Sequence, residues 1–314
     1  DDLVTGVQTC ALPISTMDSD NDGVPDEKDQ YPNDSTKVVD LPSVLNTVSG
    51  NVKLWLDASS ANAVATSSGT LVETWYDWSG NSNHATGTSG SMPSLTSEGL
   101  SFDGVSSYLD VGSDISFSGD FTMMAIVKPS NVSKQQYILG KAGDSLKDYG
   151  LIIDNEQFQF IVFEGVPGYV STPEDTISVG NEYVLTGDWD ETGNILNSYI
   201  NGTLDSSDTF NINRTNTSQG LLIGNRSISH SVYYEGIIKE VLIFDKVLSE
   251  SERTSIHSHL SQKWGLGATM DSDNDGVPDE KDQYPNDSTK VVDLPSGLAG
   301  VSANMVLWLS ASSA

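Results

Sequence analysis

The chain is poor in cysteine, in basic residues and in long apolar runs. Its 314 residues contain one cysteine, and 44 acidic residues stand against 15 lysines and arginines. This excess of negative charge argues against nucleic acid and anionic membrane surfaces as partners and favours cations. No stretch approaches the length of a membrane span, and no signal peptide is recognisable at the start.

The single cysteine lies in a segment that we set aside. Residues 4–14, VTGVQTCALPI, resemble the codon-by-codon translation of a sequencing-adapter oligonucleotide. We therefore exclude residues 1–15, including Cys10, from reasoning about fold and function, as for a cloning scar. The alternative is a natural linker with a free thiol. Without Cys10 the chain has no disulfide, which fits an extracellular or cell-surface protein of bacterial origin.

A long internal repeat defines the organisation of the chain. Residues 16–43 recur unchanged at 269–296, and related stretches follow each copy, NVKLWLDASSA at 51–61 and NMVLWLSASSA at 304–314. The repeating unit is therefore an acidic connector followed by a domain. We predict connectors at 16–43 and 267–296, a complete domain at 44–266 and the start of a second domain at 297–314. The chain is expected to be a piece of a tandem array, with neighbouring modules as partners.

Residues 44–266 have the pattern of an all-β domain. Short β-branched and aromatic runs, such as FQFIVF at 158–163 and IIKEVLIFD at 237–245, alternate with clusters of Gly, Asn, Asp and Ser. This alternation predicts a β-sandwich or jelly roll. One helix is predicted near the end, because Ser249 and Glu252 have capping-box spacing and Gly265 suits a C-terminal stop.

The acidic connectors match a twelve-residue calcium loop. Carboxylates at positions 1, 3, 5, 9 and 12, a glycine at 6 and a carbonyl at 7 can wrap one Ca²⁺. The predicted ligands are Asp18, Asp20, Asp22, Val24, Asp26 and Asp29 in the first copy and Asp271, Asp273, Asp275, Val277, Asp279 and Asp282 in the second. Asp at position 12 is shorter than the usual Glu, so weak binding is expected. The alternative is a solvated acidic linker.

The connectors also resemble bacterial thrombospondin type 3 repeats, which read D-x-D-x-D-G-x-x-D-x-x-D-x-x-P. Tyr31 and Tyr284 stand where that family often has cysteine, so no disulfide-linked array is implied. In the domain, LWLDAS at 54–59, TWYDWSGNSNHAT at 74–86 and YYEGIIKEVLIFDKVLSESER at 233–253 resemble laminin-G-like domains of the concanavalin A-like lectin and glucanase superfamily. That resemblance implies a jelly-roll sandwich of two antiparallel sheets with a closing helix at the edge.

No catalytic arrangement is recognisable, and we expect a non-enzymatic protein. Glucanases of that superfamily carry paired carboxylates on one strand, since glycoside hydrolysis needs two of them. The sequence shows no such pair and no Ser-His-Asp or Cys-His set. A second calcium site in the domain could use Asp103, Asp154 or Asp190.

Aromatic and amide side chains are the candidates for a ligand site, because sugar rings stack on exposed aromatic faces. The candidates are Trp75, Tyr76, Trp78, Asn83, His84, Tyr149, Trp189 and Tyr233. We expect a secreted multidomain surface protein that binds calcium and serves adhesion, with a glycan or another cell-surface ligand as its partner. Two alternatives stay open, namely a passive calcium-stiffened stalk and an accessory module of a carbohydrate-active enzyme.

Overall fold

Seventeen strands and one α-helix make up the domain in the computed structural model, which describes residues 17–292 except 113–114, 118, 144–146, 165, 213–218 and 227–231. The start of the second domain, predicted at 297–314, lies outside the described residues. The strands are β1 (Val52–Asp57), β2 (Val64–Ser67), β3 (Leu71–Trp75), β4 (Ala85–Thr86), β5 (Ser94–Thr96), β6 (Gly99–Asp103), β7 (Leu109–Asp110), β8 (Phe121–Pro129), β9 (Gln136–Gly143), β10 (Lys147–Asp154), β11 (Gln157–Glu164), β12 (Val166–Ser171), β13 (Tyr183–Asp190), β14 (Ile195–Ile200), β15 (Thr203–Thr209), β16 (Leu222–Ile223) and β17 (Glu235–Phe244). Short 3₁₀ segments span Ser43–Asn51 and Ala61–Ala63, and helix α1 spans Glu250–Trp264.

Antiparallel pairing arranges these strands in two layers. In the first layer β17 pairs with β6 through its first half and with β1 through its second half, and the order continues through β8, β13 and β14 to β15. The second layer runs from β12 through β11, β10, β9, β16, β7, β4 and β3 to β2. Strand β5 joins the layers, since it pairs with both β3 and β6. The predicted jelly-roll sandwich of antiparallel sheets is confirmed.

The core lies between the layers and contains a close aromatic contact. The fully buried rings of Phe121 on β8 and Phe160 on β11 lie edge to face, with their centroids 6.0 Å apart. Gly187 on β13 lies directly beneath Phe160, so that a methyl group at this position would overlap the ring. Strand β8 reads FTMMAIVKP and is buried on both faces, because the second layer covers one side and α1 covers part of the other.

Helix α1 begins and ends where the sequence predicts. The Ser249 side chain accepts the N–H of Glu252, and the Glu252 carboxylate accepts the N–H of Ser249 in return. The helix stops at Gly265, which has the left-handed φ of 68° that favours glycine. No helix in the described part of the chain is long and apolar enough to cross a membrane.

The helix lies across the outer face of the first layer, whereas the resemblance implies a position at the edge. The buried His257 ring bonds Thr186 of β13 at 3.0 Å. At the other end of α1, the Lys263 ammonium contacts Asp57 of β1 at 2.6 Å and Glu240 of β17 at 2.7 Å. Burial, followed by the charge of Asp57, raises the pKa of Glu240. Partners on three strands therefore hold the helix over the middle of the layer.

We predict that Gly187→Ala destabilises the domain by about 1–3 kcal/mol, because the added methyl group must displace the Phe160 ring. The matched control is Gly50→Ala, where a methyl group would meet no atom within 4 Å; its unfolding free energy should change by less than about 0.5 kcal/mol. Urea unfolding of both variants measures the difference. Equal midpoints for the two variants would contradict the described packing of β11 on β13.

Candidate metal centres and an aromatic cleft

The two acidic loops close in the same way. Both carboxylate oxygens of Asp26 accept hydrogen bonds from Ser19, one from its N–H at 2.7 Å and one from its hydroxyl at 2.8 Å. Asp279 bonds Ser272 in the same manner at 2.8 and 2.7 Å. The glycine at the predicted sharp turn has φ 95° in the first copy and 92° in the second. The structure thus uses Asp26 and Asp279, two of the predicted ligands, to tie the ends of each loop together.

Inside each loop three carboxylates point to one place. Asp18, Asp20 and Asp22 each offer an oxygen within 4.8 Å of the others, and Asp271, Asp273 and Asp275 do the same in the second loop. Backbone N–H groups orient these side chains, as when Asp18 accepts from Gly23 at 3.0 Å and Asp22 accepts from Val24 at 2.8 Å. No other such group of His, Cys, Asp or Glu occurs among the described residues. The possible second site at Asp103, Asp154 and Asp190 is therefore not assembled there.

Several of these carboxylate oxygens are buried and have no hydrogen-bond partner. In the first loop they belong to Asp20, Asp22 and Asp29, and in the second to Asp273, Asp275 and Asp282, which occupy the same three positions of the repeat. A buried, unpaired anionic oxygen is costly unless it is protonated or paired with a cation.

Protonation is one of the two ways in which the loops can reduce this cost. Burial raises the pKa of Asp29 to about 6, with further contributions from the charges of Asp22 and Asp20. Burial likewise raises the pKa of Asp273 to about 6, and Asp275 and Asp282 add to the effect. At neutral pH a bound cation compensates these charges better than protonation does, and the ligand atoms are oxygens, which suit a hard cation such as Ca²⁺. The ligand role predicted for the Val24 and Val277 carbonyls stays a prediction.

The first loop is held against the domain by His84. Its Nδ1 accepts the N–H of Asp77 at 3.0 Å, so its Nε2 carries the proton and donates to the carbonyl oxygen of Asp22 at 3.0 Å. Asp77 is fully buried and accepts from the backbone of Trp55 and Asn83, both at 3.0 Å, and from Ser79. The sequence resemblance marks this segment, but nothing in the sequence alone indicates that it anchors the connector.

The aromatic candidates are mostly buried. Trp75 and Trp189 have no exposed surface, and Tyr76 and Tyr149 expose 5% and 6%. Trp189 donates to Glu191 at 2.6 Å, and Tyr149 donates to the Ile115 carbonyl at 3.0 Å. These rings therefore belong to the core, and the expectation that they stack on a ligand is wrong for Trp75 and Trp189, whose faces are covered by the protein.

The remaining candidates lie in two separate places. Asn83 and His84 have structural partners, since Asn83 donates to the Lys53 carbonyl at 2.8 Å. The half-buried Tyr233 lies beside Tyr108, with ring centroids 6.4 Å apart. Trp78 is 8% exposed and packs edge to face on Trp55. The candidates thus do not form one site.

Trp78 lines two clefts between the first connector and the domain. The larger has a volume of about 620 Å³, and Lys37 and Asp40 lie on its connector side while Asn46 and Trp78 lie on its domain side. The smaller, of about 310 Å³, places Trp78 near Asp29 of the first acidic loop. The indole nitrogen of Trp78 is buried and has no hydrogen-bond partner. These clefts are where the structure brings an aromatic ring, charged groups and amides together.

We predict that His84→Ala loosens the first connector alone. Trypsin should cleave after Lys37 about fivefold faster or more, because the connector loses a hydrogen bond and a packing partner. The repeat supplies the control, since Lys290 has the same sequence neighbours in the second connector, which does not touch His84. Mass spectrometry of the fragments separates the two cleavages, and equal acceleration at both sites would contradict a local anchor.

Comparison with protein families supports the fold. The family model that matches, at residues 103–252, is described as the concanavalin A-like lectin/glucanases superfamily. This range runs from the end of β6 into α1 and includes central strands of both layers. No curated protein matches the sequence.

Solved structures are similar at low sequence identity. The binding domain of Paraclostridial Mosquitocidal Protein 1 is 14% identical, with 68% of this chain and 53% of that one covered and a TM-score of 0.53. A Trypanosoma rangeli sialidase in complex with a difluoro-nononic acid is 17% identical, with 68% and 33% covered and a TM-score of 0.50. For the NanB sialidase from Streptococcus pneumoniae the values are 18% identity, 48% and 26% covered, and a TM-score of 0.42.

The chain spans 53% of the mosquitocidal binding domain and 26% of NanB, so it is similar to part of each. At identities below 20%, the matches with TM-scores of 0.50 and 0.53 carry information about the fold and none about what is bound. Together with the strand order, the comparisons show that the domain has a concanavalin A-like jelly-roll fold and that residues 103–252 are similar to the lectin/glucanases superfamily.

Proposed function

We propose that this chain belongs to a secreted, non-catalytic surface protein whose jelly-roll modules are joined by calcium-binding connectors. The observation that carries the proposal is the recurrence of unpartnered buried carboxylate oxygens at the same three positions of both loops. The clustered oxygens in each loop lie close enough together to contact one Ca²⁺, whose oxygen ligands lie about 2.3–2.6 Å from the ion. Asp18, Asp20, Asp22 and Asp29 would hold the ion in the first loop, and Asp271, Asp273, Asp275 and Asp282 in the second.

Calcium in these loops would act as a brace. Its charge would offset the repulsion among clustered carboxylates, and the loop would then hold one shape. With dissociation constants of about 10⁻⁴ to 10⁻³ M, millimolar calcium would stabilise each loop by roughly 0.4–1.4 kcal/mol. This is enough to order a connector and small compared with the stability of a domain.

We predict two calcium ions per chain in calorimetric titration. Asp20→Ala combined with Asp22→Ala should remove one of them, because two buried ligands of the first loop are lost. The control is Glu27→Ala combined with Asp34→Ala, which removes the same charge from exposed positions of the same connector and should leave both sites. A stoichiometry near zero in the unmodified chain, or an unchanged one in the first variant, would mean that the loops are solvated linkers.

The second part of the proposal is that the module binds a glycan at the cleft beside Trp78. The fold is that of a lectin/glucanase domain. The cleft offers Lys37, Asp40 and Asn46 for hydroxyl and carboxylate groups and part of the Trp78 side chain for an apolar sugar face. One wall of the smaller cleft is the first acidic loop, so calcium would shape the site.

The absence of catalysis is also a proposal. Among the described residues, Asp57 and Glu240 are a close carboxylate pair, but both are buried and both contact Lys263. A glycosidase needs its two carboxylates on either side of an accessible bond. This supports a binding role or, if nothing binds, a passive stalk.

We predict that the full chain binds a subset of glycans on an array in millimolar calcium and loses most of that binding in chelator. Asp40→Ala combined with Asn46→Ala should reduce the signal about tenfold, because two polar groups of the cleft are removed. Asp205→Ala on the edge strand β15 is the control and should bind normally. No binding to any glycan would favour the stalk.

A further inference from the structure

The two connectors have one sequence but different environments. Met17 is 58% exposed in the first copy, whereas its counterpart Met270 is completely buried in the second. Ser19 is exposed, and its counterpart Ser272 is 2% exposed. Because the sequences are identical, the difference must come from what packs against each copy.

A second set of residues differs in the opposite direction. Val24 and Val38 are buried in the first copy, with 0% and 2% exposure. Their counterparts Val277 and Val291 are only half-buried, and the neighbouring Val292 is 41% exposed. Apolar side chains that are covered in the first connector are therefore partly exposed to solvent in the second connector.

The first connector packs on the domain that follows it. The carbonyl of Asp22 accepts from His84, and the Lys28 ammonium donates to the Val64 carbonyl. Gly80 lies so close to the Thr36 carbonyl that it has no room for a side chain. The Lys281 side chain, the counterpart of Lys28, is 70% exposed.

The second connector packs on the domain that precedes it. The N–H of Asp271 donates to the carbonyl of Asn201 at 3.0 Å, in the turn after β14. The N–H of Met270 donates to Leu266 at 3.0 Å, and the Asn286 amide donates to Ser258 of α1 at 3.4 Å. Among the described residues, Met17, Asp18 and Asn33, the counterparts of Met270, Asp271 and Asn286, form no hydrogen bond with the domain after the first connector.

We propose that each connector is a two-sided joint that binds two copies of the jelly-roll domain at once, one on each face. The trailing face consists of the positions of Met270, Asp271, Ser272 and Asn286, and the leading face of those of Asp22, Val24, Lys28, Thr36 and Val38. On the second connector the leading face, at Asp275, Val277, Lys281, Thr289 and Val291, would receive a second copy of residues 44–266. The two faces share no residue, so one domain does not exclude the other.

The contacts that define the faces use groups other than the proposed calcium-binding carboxylates, such as the main-chain carbonyl of Asp22, the Lys28 ammonium and the Thr36 carbonyl, so the joint can be tested separately from the calcium sites. A two-sided joint would hold successive domains in a fixed arrangement, whereas a flexible linker would let them move independently. The hydrogen bond from Asp271 to Asn201 and that from the His84 side chain to Asp22 would together set the distance and the rotation from one domain to the next.

The test compares the 314-residue chain with an extended chain in which a copy of residues 44–266 follows residue 296, as the first copy follows residue 43. Cys10→Ser is the background, and Val277→Cys reports on the leading face of the second connector. The rate of thiol labelling should fall about tenfold or more in the extended chain, since reaction then requires local opening. Val24→Cys should label slowly and Met17→Cys quickly in both chains.

His84→Ala in the added copy alone should restore fast labelling of Val277→Cys, which ties protection to the docked domain. Equal labelling of Val277→Cys in the two chains, with Val24→Cys still slow, would overturn the proposal. A second outcome would also overturn it. This is slow labelling of Val277→Cys in an extended chain that carries both His84→Ala in the added copy and Lys281→Ala in the second connector. Measurements in millimolar calcium and in chelator separate this result from the calcium proposal: protection in chelator supports the joint even if no calcium binds.

Discussion

Carboxylates of like charge held close together and away from water are the constraint around which the connectors are built. Each loop turns its backbone N–H groups inward to orient the acidic side chains and ties its ends through one aspartate on a serine. These hydrogen bonds satisfy one oxygen of Asp20, Asp22 and Asp29 and leave the other unsatisfied. The buried, unpaired oxygens at the centre of the loop cost free energy, and only protonation or a bound cation removes that cost. The same loop presents its outer surface to a domain.

Buried charge also occurs where helix α1 meets the first layer, and there the protein compensates it differently. Asp57 and Glu240 share the Lys263 ammonium, and the indole N–H groups of Trp55 and Trp264 both donate to Glu240, at 2.8 and 2.6 Å. There the protein supplies the cation and the donors itself, so the network holds α1 on the sheet without an external ligand. In the loops no lysine or arginine fills that role among the described contacts.

Much of the fold could be predicted from the sequence because its signals are local. Ser249, Glu252 and Gly265 lie at the two ends of one helix, so the local pattern marks where that helix begins and stops. The candidate ligand site could not be predicted in the same way, because burial depends on what the opposite layer covers. Trp75 and Trp189 have the residue type of a sugar platform, but the sandwich closes over them. His84 is a case in which sequence reasoning missed a structural role. It anchors the first connector through Asp22, which is 62 residues away in the chain, and no local pattern encodes that contact.

The exposed leading face of the second connector implies a particular kind of cooperativity. If every domain touches only the connectors before and after it, its stability depends on nearest neighbours, as in a one-dimensional lattice. Loss of one joint would then weaken two domains and leave the others unaffected. An array of such domains would come apart at single joints under load and could re-form there. The reason is that the unfolding of one domain affects only its immediate neighbours.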